Sequence, residues 1–320
     1  MITRSTINST IKGKAYEYAC VLSLADLLKG IRPFEIVENE SLRIAKIRFG
    51  EITEIERENM LKSSGAGIKE IIKMEPRIIE DGTDLLVISL QPDTASQKYG
   101  DIRDVLIIRC AIKWEIGVSV KHNHAALKHS RLSHKIDFGS IWFGASCSKN
   151  YFETIKPIFD NLSKHRLNRK LWSEIDKETV YVGILNAFRD EFISIDKNNE
   201  NVTENLIRYL LGSNGRDYYK LIHKKNRTAS IIPFNLYGTL NKNAGSVSPK
   251  ISIPSFELPT RIIEFAYKEN SKTTLILTMN NGWSISFRIH NASSKVESSL
   301  KFDINLISKP ENMFYIEVEW

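Results

Sequence analysis

The chain is 320 residues long, 42% hydrophobic and 26% charged, with a formal net charge of +7; that is enough apolar material for one large domain or two ordinary ones, with a bias toward anionic partners. Three well-separated cysteines in apolar surroundings, Cys20, Cys110 and Cys147, make neither a disulfide framework nor a Cys-x-x-Cys zinc site and suit reduced thiols. No apolar run approaches the ~20 residues that cross a bilayer, and the first six residues lack an apolar signal core, so no membrane partner is expected and the cytoplasm is the expected compartment.

The first expected element is a helix over about residues 12–29, stopped by Gly30 with Pro33 beyond. Counted from Glu17 at helical spacing, Cys20, Val21, Leu24 and Leu28 form an apolar stripe that this glutamate begins. The carboxylate either stays solvated near the first turn or reaches a metal. Short strand-like runs follow within 34–49, and a helical pattern covers Glu51 to about Lys73 with an interruption at Gly65-Ala-Gly67. Leu85-Leu-Val-Ile-Ser-Leu90 is an apolar run between turn signals and reads as a buried strand. Strands are expected at 104–109 and 114–121, then a helix from about Asn123 to Leu132. Further helices are expected near 149–163, 178–194 and 202–211, the last closing at Gly212, after which the texture turns to β. Asn281-Gly282 is a type I′ hairpin dipeptide between strands at Thr273–Met279 and Trp283–His290. In the second of these, Trp283, Ile285, Phe287 and Ile289 alternate toward a core, while Ser284, Ser286, Arg288 and His290 form either a solvated face or one that bonds a ligand.

The chemistry concentrates at the hairpin of 104–121. Residues two apart on a strand share a face, so Glu115, Gly117, Ser119 and Lys121 project together beside Asp104, and the two small residues leave room for a phosphate, a water and a metal. Hydrolysis of a phosphodiester needs an activated water, neutralisation of the charge developing on phosphate, and help for the leaving oxygen. Magnesium held by one or two carboxylates supplies most of this. Asp104 opens an apolar strand that fixes its position and is the leading metal ligand, with Lys121 as the cation that orients the water or steadies the phosphate. The competing reading of Lys121 is a surface lysine at a strand end.

This arrangement resembles the PD-(D/E)XK nuclease superfamily, which implies an α/β core in which a mixed sheet is flanked by helices. A glutamate on the first helix, an aspartate opening a strand and a lysine on the next strand match; Arg103 stands where that pattern has proline, and Ser119 where it has the second acid. Glu17, Glu115 and Asp137 are the candidates to replace that acid, so the catalytic set is Asp104, Lys121, Glu17, Glu115 and Ser119, and the metal set Asp104, Glu17 and Asp137. A closer resemblance lies in Lys12-Gly-Lys-Ala-Tyr-Glu-Tyr-Ala-Cys20, in Trp114 through Ser133, in Ser286–Ala292 and in Ser299-Leu-Lys-Phe-Asp303. These stretches look like the HaeIII family of type II restriction endonucleases. That resemblance implies magnesium-dependent cleavage of both strands of duplex DNA within a GGCC palindrome, and a cognate methyltransferase that protects host DNA. The expected organisation is a mixed α/β nuclease core at about 1–165 and a helical, then β-rich, recognition region at 166–320.

Four of the seven histidines, His122, His124, His129 and His134, crowd behind Lys121. His122-Asn123-His124 spells the HNH nuclease label by coincidence, since that class disperses its residues over a different fold, and no cysteine completes a zinc site. At helical spacing His124, Lys128 and Arg131 share a basic face suited to the DNA backbone, or to solvent. Arg288, His290 and Asn291 are the candidate readers of base edges, and Arg216, Lys220, Lys224, Lys225 and Arg227 the further backbone contacts. A palindromic target is met most simply by a two-fold homodimer. Two other classes fit the residues: a repair or junction-cleaving nuclease, and a DNA-binding protein without catalysis, told apart by whether and where duplex DNA is cut in magnesium.

Overall fold

The structure, a computed structural model, describes residues 9–80, 82–92, 94, 100–123, 126–212, 215–242, 247–291 and 293–320, without the side chains of 126, 128 and 129. His124 and the side chain of Lys128 therefore lie outside the described residues. In chain order the elements begin with α1 (Ser9–Leu28), β1 (Phe34–Ile36), α2 (Glu40–Glu51), α3 (Glu54–Met74), β2 (Leu86–Leu90), β3 (Val105–Arg109) and β4 (Trp114–His122). Next come β5 (Ala126–Leu132), α4 (Phe138–Phe143), α5 (Lys149–Leu167), α6 (Lys177–Asn198) and α7 (Val202–Leu211). The rest is β6 (Tyr218–His223), β7 (Thr228–Phe234), β8 (Ile262–Tyr267), β9 (Thr274–Met279), β10 (Ser284–His290), β11 (Leu300–Ser308) and β12 (Ile316–Glu319).

The chain forms two compact units, and neither follows the division expected at residue 165. One gathers Met1–Ala125, Gly212–Phe256 and Asn312–Trp320; the other gathers Ala126–Leu211 and Glu257–Glu311. The first unit is built on a seven-stranded mixed sheet of order β1-β2-β3-β4-β6-β7-β12, in which β4 pairs parallel with β6 and antiparallel with β3. Helices α1, α2 and α3 supply the other half of its core: Ala15, Tyr16, Leu24, Ile68 and Ile71 pack with Val105, Ile107, Val118, Val120 and Leu221 from the sheet. Strand alternation then assigns Gly117, Ser119 and Lys121 of β4 to the face away from these helices.

Local signals account for the helices. Gly30, at φ +72°, ends α1, and the Leu28 carbonyl accepts from Ile31 and Arg32. The segment expected as strand-like is mostly helix, because the Asn39 side chain caps α2 by accepting from Leu42 N at 2.9 Å, and Leu42 and Ala45 bury at helical spacing. Thr53 and Glu56 form a capping box at the start of α3, which runs unbroken through Gly65-Ala-Gly67. The reason for glycine there is packing: a Cβ on Gly67 would lie 2.3 Å from Leu221 Cδ1 on β6.

The second unit has a five-stranded antiparallel sheet of order β5-β11-β10-β9-β8. The Asn281-Gly282 turn forms as expected, with both residues at positive φ (+58° and +79°), and Trp283, Ile285, Phe287 and Ile289 are buried. The Phe287 ring joins those of Phe138, Trp142, Phe188 and Phe302 in one core, lying 5.3 Å from Phe188 and 5.7 Å from Phe302 between centroids. The helix expected over 123–132 is instead strand β5, paired with β11. Among the described residues no helix is long and apolar enough to cross a membrane.

Candidate active site

Asp104 ends the loop entering β3, one residue before the pairing of Val105 with Val118, and its backbone N–H donates to the Val118 carbonyl at 2.9 Å. That register sets its carboxylate beside Ser119. One oxygen, Oδ2, accepts from Val120 N at 2.6 Å, from Lys121 Nζ at 3.1 Å and from Ser119 Oγ at 3.3 Å. The aspartate and lysine identified from sequence are thus in direct contact, and the main chain of β4 fixes the aspartate. Neither is sealed off, with side chains 20% and 33% exposed, so the pair is open to an incoming ligand.

Glu17, on α1, lies near enough to Asp104 and Lys121 for their charges to act on its carboxyl. It is buried, 6% exposed, and sits in the third turn of α1 rather than solvated near the first. Its Oε2 accepts from Lys14 Nζ at 2.9 Å, a helical i,i+3 pair. Burial, then the charge of Asp104, push the Glu17 carboxyl up to about 7, against the opposing pull of Lys14 and Lys121. A buried carboxyl raised by a neighbouring carboxylate is a group whose ionised form gains from a cation.

Lys220 lies on the neighbouring strand, where the parallel register of β4 and β6 sets it beside Ser119. It is 4% exposed. Burial first, and the charge of Lys121 next, push its ammonium down to about 7, while Asp104 pulls it up. Lys14 and Lys220 are the members of this cluster that sequence reasoning missed as such. Lys14 was signalled by its spacing from Glu17; Lys220, expected among the DNA-backbone contacts, is placed here only by strand pairing.

The other sequence candidates have partners of their own. Glu115 is on the same strand face but four residues back from Ser119, about 13 Å at ~3.3 Å per residue. It pairs with Arg103 Nη1 at 2.6 Å and with Arg216, and these cations hold its carboxyl below the usual range against the effect of burial. The room expected beside Gly117 is filled by Arg103, whose Cδ would stand 2.0 Å from a Cβ there; Arg103 also binds Asp101. Asp137 belongs to the second unit and caps α4, accepting from Ser140 N at 2.9 Å and Cys147 N at 3.0 Å. Its carboxylate serves a helix terminus.

The candidate DNA contacts of the second unit are likewise placed. Arg131 is exposed and donates to Ser299 Oγ at 2.7 Å, but on a strand rather than a helix, so the three-residue spacing from position 128 makes no common face. The polar side of β10 is divided: Ser284 and Ser286 are buried, whereas Arg288 is exposed. His290 Nδ1 lies 2.9 Å from Asp303 Oδ2, and burial lowers its pKa more than Asp303 raises it. The Asn291 amide donates to the Ser293 carbonyl at 2.6 Å.

Among the described residues no group of three or more His, Cys, Asp or Glu side chains is gathered for a metal. The available donor set is two carboxylates, Asp104 and Glu17, with the Ser119 hydroxyl. Hard oxygen donors in that small number suit magnesium, which keeps several waters of its own.

Comparison with known proteins covers nearly the whole chain. The profile of the HaeIII restriction endonuclease family matches residues 13–310. The type II restriction enzyme HaeIII of Haemophilus aegyptius is 43% identical over 316 residues, 98% of each chain. No solved structure matches. On a match that runs across α1, the β3–β4 hairpin and the β9–β10 hairpin alike, the chain belongs to the HaeIII restriction endonuclease family.

Proposed function

We propose that this type II restriction endonuclease recognises GGCC in duplex DNA and hydrolyses both strands with magnesium, using Asp104, Lys121 and Glu17 on a PD-(D/E)XK-type core. The observation that carries the reading is the contact of Lys121 Nζ with Asp104 Oδ2 at 3.1 Å across adjacent strands, in a chain of this family. Near-complete coverage of the Haemophilus enzyme in both directions supports a shared target sequence.

Asp104 and Glu17 would hold the magnesium ion. Bound there, it supplies charge neutralisation at the phosphate and lowers the pKa of a coordinated water. The residues themselves do the rest. The Val120 N–H keeps the Asp104 carboxylate aimed at the open side of the hairpin. Lys121 brings a positive charge to that point, where a phosphate oxygen accepts from its ammonium as negative charge grows in the transition state. Ser119, buried in the position where the superfamily pattern has an acid, donates to Asp104 and helps orient it. Lys14 balances Glu17 from the other side.

Arg131, Arg288, His290 and Asn291 carry DNA contact and base reading, with the Arg288 guanidinium suited to a guanine edge. A homodimer would match the two-fold symmetry of the palindrome, one copy per strand. A cognate methyltransferase in the same cytoplasm would protect host DNA. The test is digestion of a plasmid of known sequence in magnesium with mapping of the ends. Cuts confined to GGCC, and lost on GGCC-methylated DNA, are expected. Intact DNA would refute the nuclease reading, and ends mapping to another sequence would refute the GGCC assignment alone.

A further inference from the structure

We propose that Lys220 is a second lysine of the active site and contacts the scissile phosphate alongside Lys121. This rests on the reading of Asp104 and Lys121 as the cleavage centre. Three strands in a row present the relevant groups: Asp104 at the start of β3, Ser119 and Lys121 on β4, and Lys220 on β6. Because β4 and β6 run parallel and Ser119 pairs with Lys220, strand alternation sends the Lys220 side chain to the same sheet face as Ser119 and Lys121. Adjacent strands are about 4.8 Å apart, so Lys220 rises within one strand spacing of the serine that bonds Asp104.

A lysine is an expensive choice for that position. Lys220 is 4% exposed, and its neighbours along β6, Tyr219 and Leu221, belong to the apolar core of the opposite face. A leucine would fill a buried site with no charge to desolvate. Instead a buried ammonium is held where the charge of Lys121 opposes it and that of Asp104 favours it. Lys121 already serves the aspartate at 3.1 Å. A phosphodiester anion, and still more the extra negative charge of the pentacovalent transition state, relieves that repulsion; two converging cations therefore gain most where the phosphate reacts.

The test compares the wild-type protein, Lys220→Met and Lys220→Arg in two assays. These are single-turnover cleavage of a GGCC duplex in magnesium, and binding of the same duplex in calcium over a range of salt. Failure of the wild type to cut would remove the underlying reading, and the proposal with it, before Lys220 is considered. With an active wild type, Lys220→Met is expected to lose about 10²-fold in single-turnover rate. The slope of log binding constant against log salt should shrink by about 1, as for one lost phosphate contact, and Lys220→Arg should restore it. A wild-type rate in Lys220→Met overturns the proposal. A slower rate with an unchanged salt slope also overturns it, because that marks a purely structural lysine. Should Lys220→Met fail to fold, a crystal structure of the wild-type protein with a GGCC duplex and calcium decides: Lys220 Nζ within hydrogen-bond reach of the phosphate at the cut supports the contact, and Nζ bonded to no phosphate overturns it.

Discussion

Replacing Glu17 by glutamine should make the protein more stable and inactive at once, with a pH signature. The carboxyl is raised to about 7 from the 4.5 of a free glutamate, chiefly by burial and then by Asp104. Below about pH 4.5 it is protonated in both the folded and the unfolded chain and makes no pH-dependent contribution. Between 4.5 and 7 the folded protein keeps a proton that the unfolded chain releases, so stability falls as pH rises. Above 7 both states are ionised and the loss is complete. A difference of 2.5 pH units, at about 1.4 kcal/mol per unit, corresponds to about 3 kcal/mol, and with the residue 6% exposed solvent screens little of it. Glutamine keeps the shape and does not titrate. In metal-free buffer with chelator, urea unfolding of both proteins from pH 5 to pH 8 should show the Glu17→Gln advantage growing by about 2 to 3 kcal/mol. Cleavage in magnesium should be lost across the same range. A stability difference that stays flat with pH would refute the argument that Glu17 is an ionisable group held at a cost, and full cleavage by Glu17→Gln would refute its place in the metal site.

Lys121→Ala and Asp104→Asn are each expected to abolish cutting in magnesium while sequence-specific binding survives, measured by gel shift beside plasmid digestion; full residual cleavage in either would sink the site assignment. Glu75 is a second carboxyl that burial raises to about 7, away from the cluster, with Tyr219 OH and Asn241 N donating to it at 2.9 and 3.0 Å. Glu75→Gln keeps both bonds, so its stability relative to wild type should rise between pH 5 and pH 8 by about 2 to 3 kcal/mol with unchanged cleavage. Gly117→Ala should displace Arg103 from between Asp101 and Glu115, since the added Cβ would meet Arg103 Cδ at 2.0 Å, and lower the urea midpoint by an amount equivalent to about 1–3 kcal/mol.

What the sequence disclosed was local, and what it withheld depends on partners far along the chain. The apolar stripe from Glu17, the two strands of the 104–121 hairpin and the Asn281-Gly282 turn each carry their signal within a few residues, and all are found in the structure. Segment 126–132 has helical spacing, yet β11, some 170 residues later, pairs with it and decides the matter. The unit boundaries were hidden for the same reason: β6, β7 and β12 return to the first sheet after the chain has built most of the second unit. Gly117 and Ser119 both read as small residues leaving room; in the structure one makes way for Arg103 and the other is buried against Asp104.

The serine at the position of the missing acid then has a physical reading of its own. Burial and the charge of Asp104 already drive the Glu17 carboxyl to about 7. A third carboxylate at position 119, one strand from Asp104 and 2% exposed, would deepen that repulsion with no counterion but the lysines already engaged. A hydroxyl there instead donates to Asp104 and adds no charge. On this reading the second acid comes from α1 because the strand position beside Lys220 and Lys121 serves best when it is neutral. Ser119→Asp should accordingly push the Glu17 carboxyl higher still and move the Glu17-dependent loss of stability to higher pH, a shift readable in the same urea series; an unmoved pH profile would show that position 119 is electrostatically isolated from Glu17.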